Sequence, residues 1–163
     1  MRELPKAIFI TGTDTGVGKT LVTATIALFF KKKGLKVGVI KPFQTGTDLD
    51  EVLDAEFVYK VLDEDYDLDE VSPFRLKKPL SPLAAAKVEK TDIPLSSIIN
   101  HTNDYVLKNE ITIIEGAGGL YVPILNDYLI SDLAFDLGYP CLLYTSPSPR
   151  DLNPNLGCRH MLV

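Results

Sequence analysis

Cysteine is scarce in this 163-residue sequence: Cys141 and Cys158 both fall in the last stretch, with no ligand spacing and no partner before them. That excludes a disulfide framework and a cysteine-held zinc site. Histidine is as scarce; His101, on a helix surface, and His160, in the last stretch, offer no catalytic pairing. An excess of positive charge is also missing, since Lys+Arg 17 against Asp+Glu 22 gives a net charge of -5. The electrostatic footprint of a nucleic-acid binder is therefore absent, and a small-molecule substrate fits better. No apolar run is long enough to span a bilayer, and Met1 to Lys6 leads into a short β-like run instead of the apolar core of a signal peptide. Together these absences predict a cytoplasmic protein that engages neither nucleic acid nor membrane.

What is present, 45% hydrophobic and 24% charged residues, suits one globular domain with a real core. Ala7-Ile8-Phe9-Ile10 is a short apolar run ahead of a Gly-containing loop and reads as a buried strand of a parallel sheet. From Thr20, Leu21, Thr25, Leu28 and Phe29 recur at helical spacing, and Lys31-Lys32-Lys33-Gly34 supplies a basic last turn and a stop. Val37, Val39 and Ile40 form the next strand, so the class is α/β with parallel strands joined by crossover helices. Asp50 to Leu62 and Pro94 to Leu107 carry amphipathic helical patterns, with the acidic Asp63-Glu64-Asp65 a solvated loop. Ser81-Pro82 opens a further helix, Ile111 to Ile114 is a strand, and Ser131-Asp132 caps a short helix that stops at Gly138.

Gly12-Thr13-Asp14-Thr15-Gly16-Val17-Gly18-Lys19-Thr20 lies between a strand and a helix, where backbone N–H groups and the helix N-terminus can surround nucleotide phosphates. Strict phosphate-loop spacing would put glycine at position 13; Thr13 stands there and the first glycine is Gly12, so the loop is a variant. Lys19 is expected to bridge the β- and γ-phosphates of ATP, and Thr20 to place its hydroxyl on Mg²⁺. Lys41 stands at the end of the second strand, where ligands bind in open parallel sheets, although position alone leaves a solvated lysine equally open. Glu115, closing its strand before Gly116-Ala117-Gly118-Gly119, is a candidate magnesium ligand. Asp54, judged on pattern alone, reads as an exposed helix acid.

These segments, with Gln44-Thr45-Gly46 after Lys41-Pro42 and with Leu80-Ser81-Pro82, closely resemble dethiobiotin synthetase, in unbroken order from about Lys6 to Pro140. The resemblance implies a phosphate-loop NTPase-like, mostly parallel, doubly wound sheet with helices on both faces, here truncated, and a homodimer when full length. It implies that 7,8-diaminononanoate takes up CO2 (or bicarbonate) as a carbamate, which attacks the γ-phosphate of ATP to give a carbamic-phosphoric anhydride. The second amine then closes the ring to dethiobiotin, with ADP and phosphate released, in biotin biosynthesis. By the same match Lys19 and Lys41 are catalytic, and Thr20, Asp54 and Glu115 hold magnesium. Asp14, Thr15, Gly16, Val17, Gly18, Lys19, Thr20, Glu115 and Gly118 bind the nucleotide, and Lys41, Thr45, Gly118 and Gly119 meet the substrate. The alternatives are a nucleotide-switched partitioning-type ATPase, which usually carries an extra lysine early in the loop where this sequence has Thr13 and Asp14, and a cobyrinate amidase-like enzyme, which would depend on glutamine.

The character of the chain changes at Cys141. Pro147, Pro149 and Pro154 oppose the buried strand and crossover helix that an α/β sheet requires there, and Cys141 to Asp151 resembles the translation of a transposase adaptor from sequencing libraries. Residues 1–140 are therefore expected to form an incomplete nucleotide-binding domain, and 141–163 an artefactual or disordered tail. Lacking the family's later strands, its adenine-reading segment and its carboxylate-holding loops, the chain as written is expected to be poorly active and aggregation-prone.

Overall fold

The computed structural model describes residues 4–48 and 53–145. Its centre is a parallel sheet of four strands: β1 (Ala7–Gly12), β2 (Val37–Ile40), β5 (Ile111–Glu115) and β8 (Cys141–Tyr144), in the order β2-β5-β1-β8. In register, Phe9 lies opposite Ile114 of β5 on one side and Cys141 of β8 on the other. The sequential strands β1 and β2 are not neighbours, because β5 inserts between them and pairs with both. β5 is buried at every position, as expected for a continuous apolar run covered on both faces.

The helices are α1 (Lys19–Lys32), α2 (Asp54–Leu62), α3 (Leu68–Val71), α4 (Pro82–Glu89), α5 (Leu95–Leu107) and α6 (Ile130–Leu137). α1 packs along α2 and onto β1, β2 and β5, while α5 packs against β2 and α6. Their starts and stops follow local chemistry. Ser81 caps α4 through its Oγ, which accepts from Ala84 N–H at 3.3 Å, with Pro82 in the first turn. Gly34 and Gly138, both with positive φ, follow α1 and α6. α6 starts one residue before Ser131: Leu129 is its N-cap, and Asp132 reaches back to accept the Leu129 N–H at 2.7 Å.

Two small sheets were not anticipated. β3 (Phe43–Thr45) runs parallel to β4 (Phe74–Leu76), joined by an edge-to-face contact of Phe43 and Phe74 at 5.8 Å, and β6 (Pro123–Leu125) forms an antiparallel pair with β7 (Tyr128–Leu129). At the end of the chain the regular pattern extends past Pro140, since Cys141–Tyr144 adds to β1 as β8. Pro147, Pro149, Pro154, Cys158 and His160 lie outside the described residues, as do the first residues of the expected helix from Asp50.

The core gathers on and around the sheet, with Phe9, Ile10, Ile40, Ile113, Ile114, Ile130 and Leu133 fully buried. Burying one such side chain is worth about 1.5–3 kcal/mol. At the open edge of β2, the Tyr59 hydroxyl accepts from Val39 N–H and faces Val39 O, both at 3.1 Å, and meets the Tyr105 hydroxyl at 2.7 Å. Burial raises the pKa of both phenols, so each stays protonated as the network requires.

Candidate functional site

The carboxyl ends of β2, β5 and β1 lie side by side, and each delivers one part of the site. β1 runs into the phosphate loop, β5 ends on Glu115, and Lys41 follows β2. In the loop Gly16 and Gly18 take positive φ (73° and 101°), which a side chain would resist. Gly18 is also the N-cap of α1, with no side chain turned back on the helix, so the first N–H groups of α1 remain for an anion. Asp14 Oδ1 accepts from Thr15 N–H, and Lys19 Nζ donates to the Asp14 carbonyl at 2.7 Å, folding that lysine over its own loop.

The loop is held from both sides. Leu120 N–H donates to Gly12 O at 2.8 Å, and Thr13 N–H donates to Tyr144 O of β8 at 3.1 Å. Gly119 lies so close that a Cβ there would stand 2.7 Å from the Thr13 carbonyl oxygen, and Val17 packs against Gly12 in the same way.

Beneath the loop four side chains converge. The Thr20 hydroxyl lies 3.0 Å from Asp54 Oδ1 and 2.9 Å from Glu115 Oε1; Lys41 Nζ is 3.0 Å from the same Glu115 oxygen and contacts Asp54 Oδ2. Lys19, Lys41 and Glu115 are each less than a tenth exposed. Asp54, whose pattern suggested an exposed helix acid, is instead drawn into the cluster from the first turn of α2. Burial pushes its pKa up, but Lys41 and the Thr20 hydroxyl outweigh that and hold it below the usual carboxylate range. Burial would likewise lower Lys41, yet Glu115 and Asp54 raise it. Lys19 is lowered, by burial first and then by the Lys41 charge.

These oxygens fit a magnesium ion. The Thr20 hydroxyl oxygen lies within hydrogen-bond distance of both carboxylates, and a hydroxyl with two carboxylates is the hard donor set that Mg²⁺ takes alongside phosphate. The charges of Lys19, Lys41, Asp54 and Glu115 cancel, so a bound triphosphate would require a further cation.

Beside the cluster opens a cleft of about 420 Å³ lined by Thr15, Lys41, Thr45, Ser81 and Gly118 among others. Lys41, Thr45 and Gly118 of the expected substrate residues thus share one cavity, whereas Gly119 faces the backbone of Thr13. Gln44 and the segment Pro79 to Pro82 also line it. The Ser81-Pro82 helix start was legible, but its place at the cleft was not, because β3–β4 pairing is what brings it there.

Among the described residues no helix is long and apolar enough to cross a membrane. A family described as an AAA domain matches residues 6–156. The chain is 39% identical to an ATP-dependent dethiobiotin synthetase of Methanococcus vannielii over 90% of its length and 67% of that protein. It is 41% identical to one of Methanocaldococcus jannaschii (91% of this chain, 70% of that protein) and 38% to one of Bacillus licheniformis (91% and 63%). The chain thus spans about two thirds of the length of these relatives. With the variant phosphate loop, Lys41 and Glu115 gathered at one sheet edge, it belongs to the ATP-dependent dethiobiotin synthetase family.

Proposed function

We propose that this protein closes the ureido ring of dethiobiotin from 7,8-diaminononanoate, CO2 and ATP, working in the cytoplasm as a homodimer when full length. The observation that carries the reading is the position of Lys41, which touches the Thr20–Asp54–Glu115 cluster and also lines the cleft with Thr45 and Gly118. Chemistry that joins a carbamate to a γ-phosphoryl group needs fixed positive charge where both meet, and little else from the protein.

In this scheme the phosphate loop and the N-terminus of α1 hold the polyphosphate, and Lys19 exchanges its Asp14 carbonyl for phosphate oxygen. Thr20, Asp54 and Glu115 would hold magnesium, which when bound neutralises charge on the β- and γ-phosphates. The cleft takes the diamine, with Lys41 and the Thr45 hydroxyl beside the carbamate. The carbamate oxygen attacks phosphorus as ADP leaves; the second amine then attacks the activated carbonyl, phosphate departs, and the ring amine gives up its proton. Free amines react with CO2 directly, and His101, the one histidine among the described residues, is engaged with the Glu70 carbonyl at 2.7 Å.

The test is incubation with diaminononanoate, ¹³C-bicarbonate, ATP and Mg²⁺, followed by mass spectrometry. Dethiobiotin carrying one ¹³C, formed with one ADP, is expected. ATP turnover that ignores the diamine and yields no dethiobiotin would refute the reading.

A further inference from the structure

We propose that Lys41 is the resident counter-cation of the metal cluster: its ammonium holds the place between Asp54 and Glu115, leaves when a divalent cation arrives, and turns into the adjoining cleft. The inference rests on Thr20, Asp54 and Glu115 being the metal ligands.

Three observations carry it. First, Glu115 Oε1 is shared, lying 3.0 Å from Lys41 Nζ and 2.9 Å from the Thr20 hydroxyl, while the other carboxylate of the cluster, Asp54, is also held by Lys41. A divalent cation on these oxygens takes the lone pairs that the ammonium now uses, and two cations a few ångströms apart repel strongly in a buried setting. Second, Lys41 is 6% exposed and, among the described residues, its side chain is partnered by these two carboxylates alone. Its way out is the cleft it lines, past Thr45, Gly46 and Ser81. Third, the neighbouring Lys19 does not share the task. Its ammonium is spent on the neutral Asp14 carbonyl, so it does not compensate the carboxylate pair by direct contact.

Exchange of one cation for another couples the two halves of the site. Free metal has to displace a paired ammonium and binds weakly. Metal arriving with a nucleotide brings phosphate oxygens that offset the displacement, and the released ammonium makes the cleft positive when the nucleotide side is loaded. By reciprocity an anion in the cleft, which stabilises the released Lys41, strengthens metal binding by the same factor.

Mn²⁺ without nucleotide, followed by its electron paramagnetic resonance signal, is the probe. Lys41→Met is expected to bind Mn²⁺ at least about tenfold more tightly than the wild type, because the competing charge is gone. Mn²⁺ should also raise the melting temperature of the variant more than that of the wild type, since a bound ion stabilises in proportion to its occupancy. Should the variant fail to fold, reductive methylation of wild-type lysines serves instead: Lys41 is expected to react faster once Mg²⁺ and a non-hydrolysable ATP analogue are added, while Lys19 is protected. Equal or weaker Mn²⁺ binding by Lys41→Met, or unchanged methylation of Lys41, overturns the exchange. In that case loss of Mn²⁺ binding in Glu115→Gln would leave the metal ligands standing. Absence of Mn²⁺ binding in every form, with nucleotide or without, overturns the exchange and the metal reading together.

Discussion

Gly119→Ala is the substitution whose effect follows most directly from the structure. The new Cβ would stand 2.7 Å from Thr13 O, 3.0 Å from Thr13 C and 3.2 Å from Asp14 Cα, where ordinary contact starts at 3.4 Å. All three are backbone atoms, so no side chain can rotate away. Either the phosphate loop or the 116–120 segment must yield by the difference between 2.7 and 3.4 Å, about 0.7 Å. Overpacking of this kind costs about 1–3 kcal/mol. Displacement by most of an ångström at a phosphate-binding backbone is also enough for a rate loss on the order of 10²-fold. Gly138→Ala is the contrasting control. Unlike Gly119 it has a positive φ (69°), and a Cβ there meets nothing within 4 Å, so it bears only backbone strain, about 1 kcal/mol. Titration calorimetry with an ATP analogue, alongside thermal unfolding, separates the two. Gly119→Ala should lose at least about tenfold in nucleotide affinity, roughly 1.4 kcal/mol. Gly138→Ala should lose stability but bind normally. Unchanged affinity in Gly119→Ala would refute the claim that this glycine sets the position of the loop.

Glu115→Gln should destabilise the fold by about 3 kcal/mol, the low end for breaking a buried ion pair because Asp54 still holds Lys41; a denaturant midpoint equal to wild type would contradict this. Asp54 has a depressed pKa in the fold, so its contribution is present above the unfolded carboxylate value and is lost as pH falls through the folded one. The melting-temperature advantage of the wild type over Asp54→Asn should therefore shrink below about pH 4, and a constant difference down the acid limb would count against the pairing. Tyr59→Phe strips the Val39 N–H of its buried acceptor and should cost about 1–3 kcal/mol, measured by urea unfolding, with nucleotide affinity intact.

The frame was legible because its signals are local. Ala7–Ile10 and Ile111–Ile114 are unbroken apolar runs, Lys31 to Gly34 spells a helix end, and the phosphate loop sits between a strand and a helix. What escaped depends on distant partners. Phe43–Thr45 is too short to show a period and becomes a strand only through Phe74–Leu76, about thirty residues on. Asp54 resembles any helix acid until Thr20 and Lys41, 34 and 13 residues away, are seen against it. β8 illustrates the converse: prolines ahead of it argued against regular structure, but the four residues before them need only offer backbone to β1. The neighbour order β2-β5-β1 was not legible either, since β5 joins from some seventy residues beyond β2.

That order also governs when the site comes into being. Thr20 meets Glu115 across 95 residues of sequence and Lys41 meets it across 74, so neither contact exists until β5 has slotted between β1 and β2. Half-folded chains, whichever helix they form first, possess no place for a nucleotide. Non-local parallel pairing is slow, and a ligand that recognises only its finished product cannot hasten it. ATP should therefore leave the refolding rate untouched and lengthen the lifetime of the native state, acting as a latch on the completed sheet instead of a template for it.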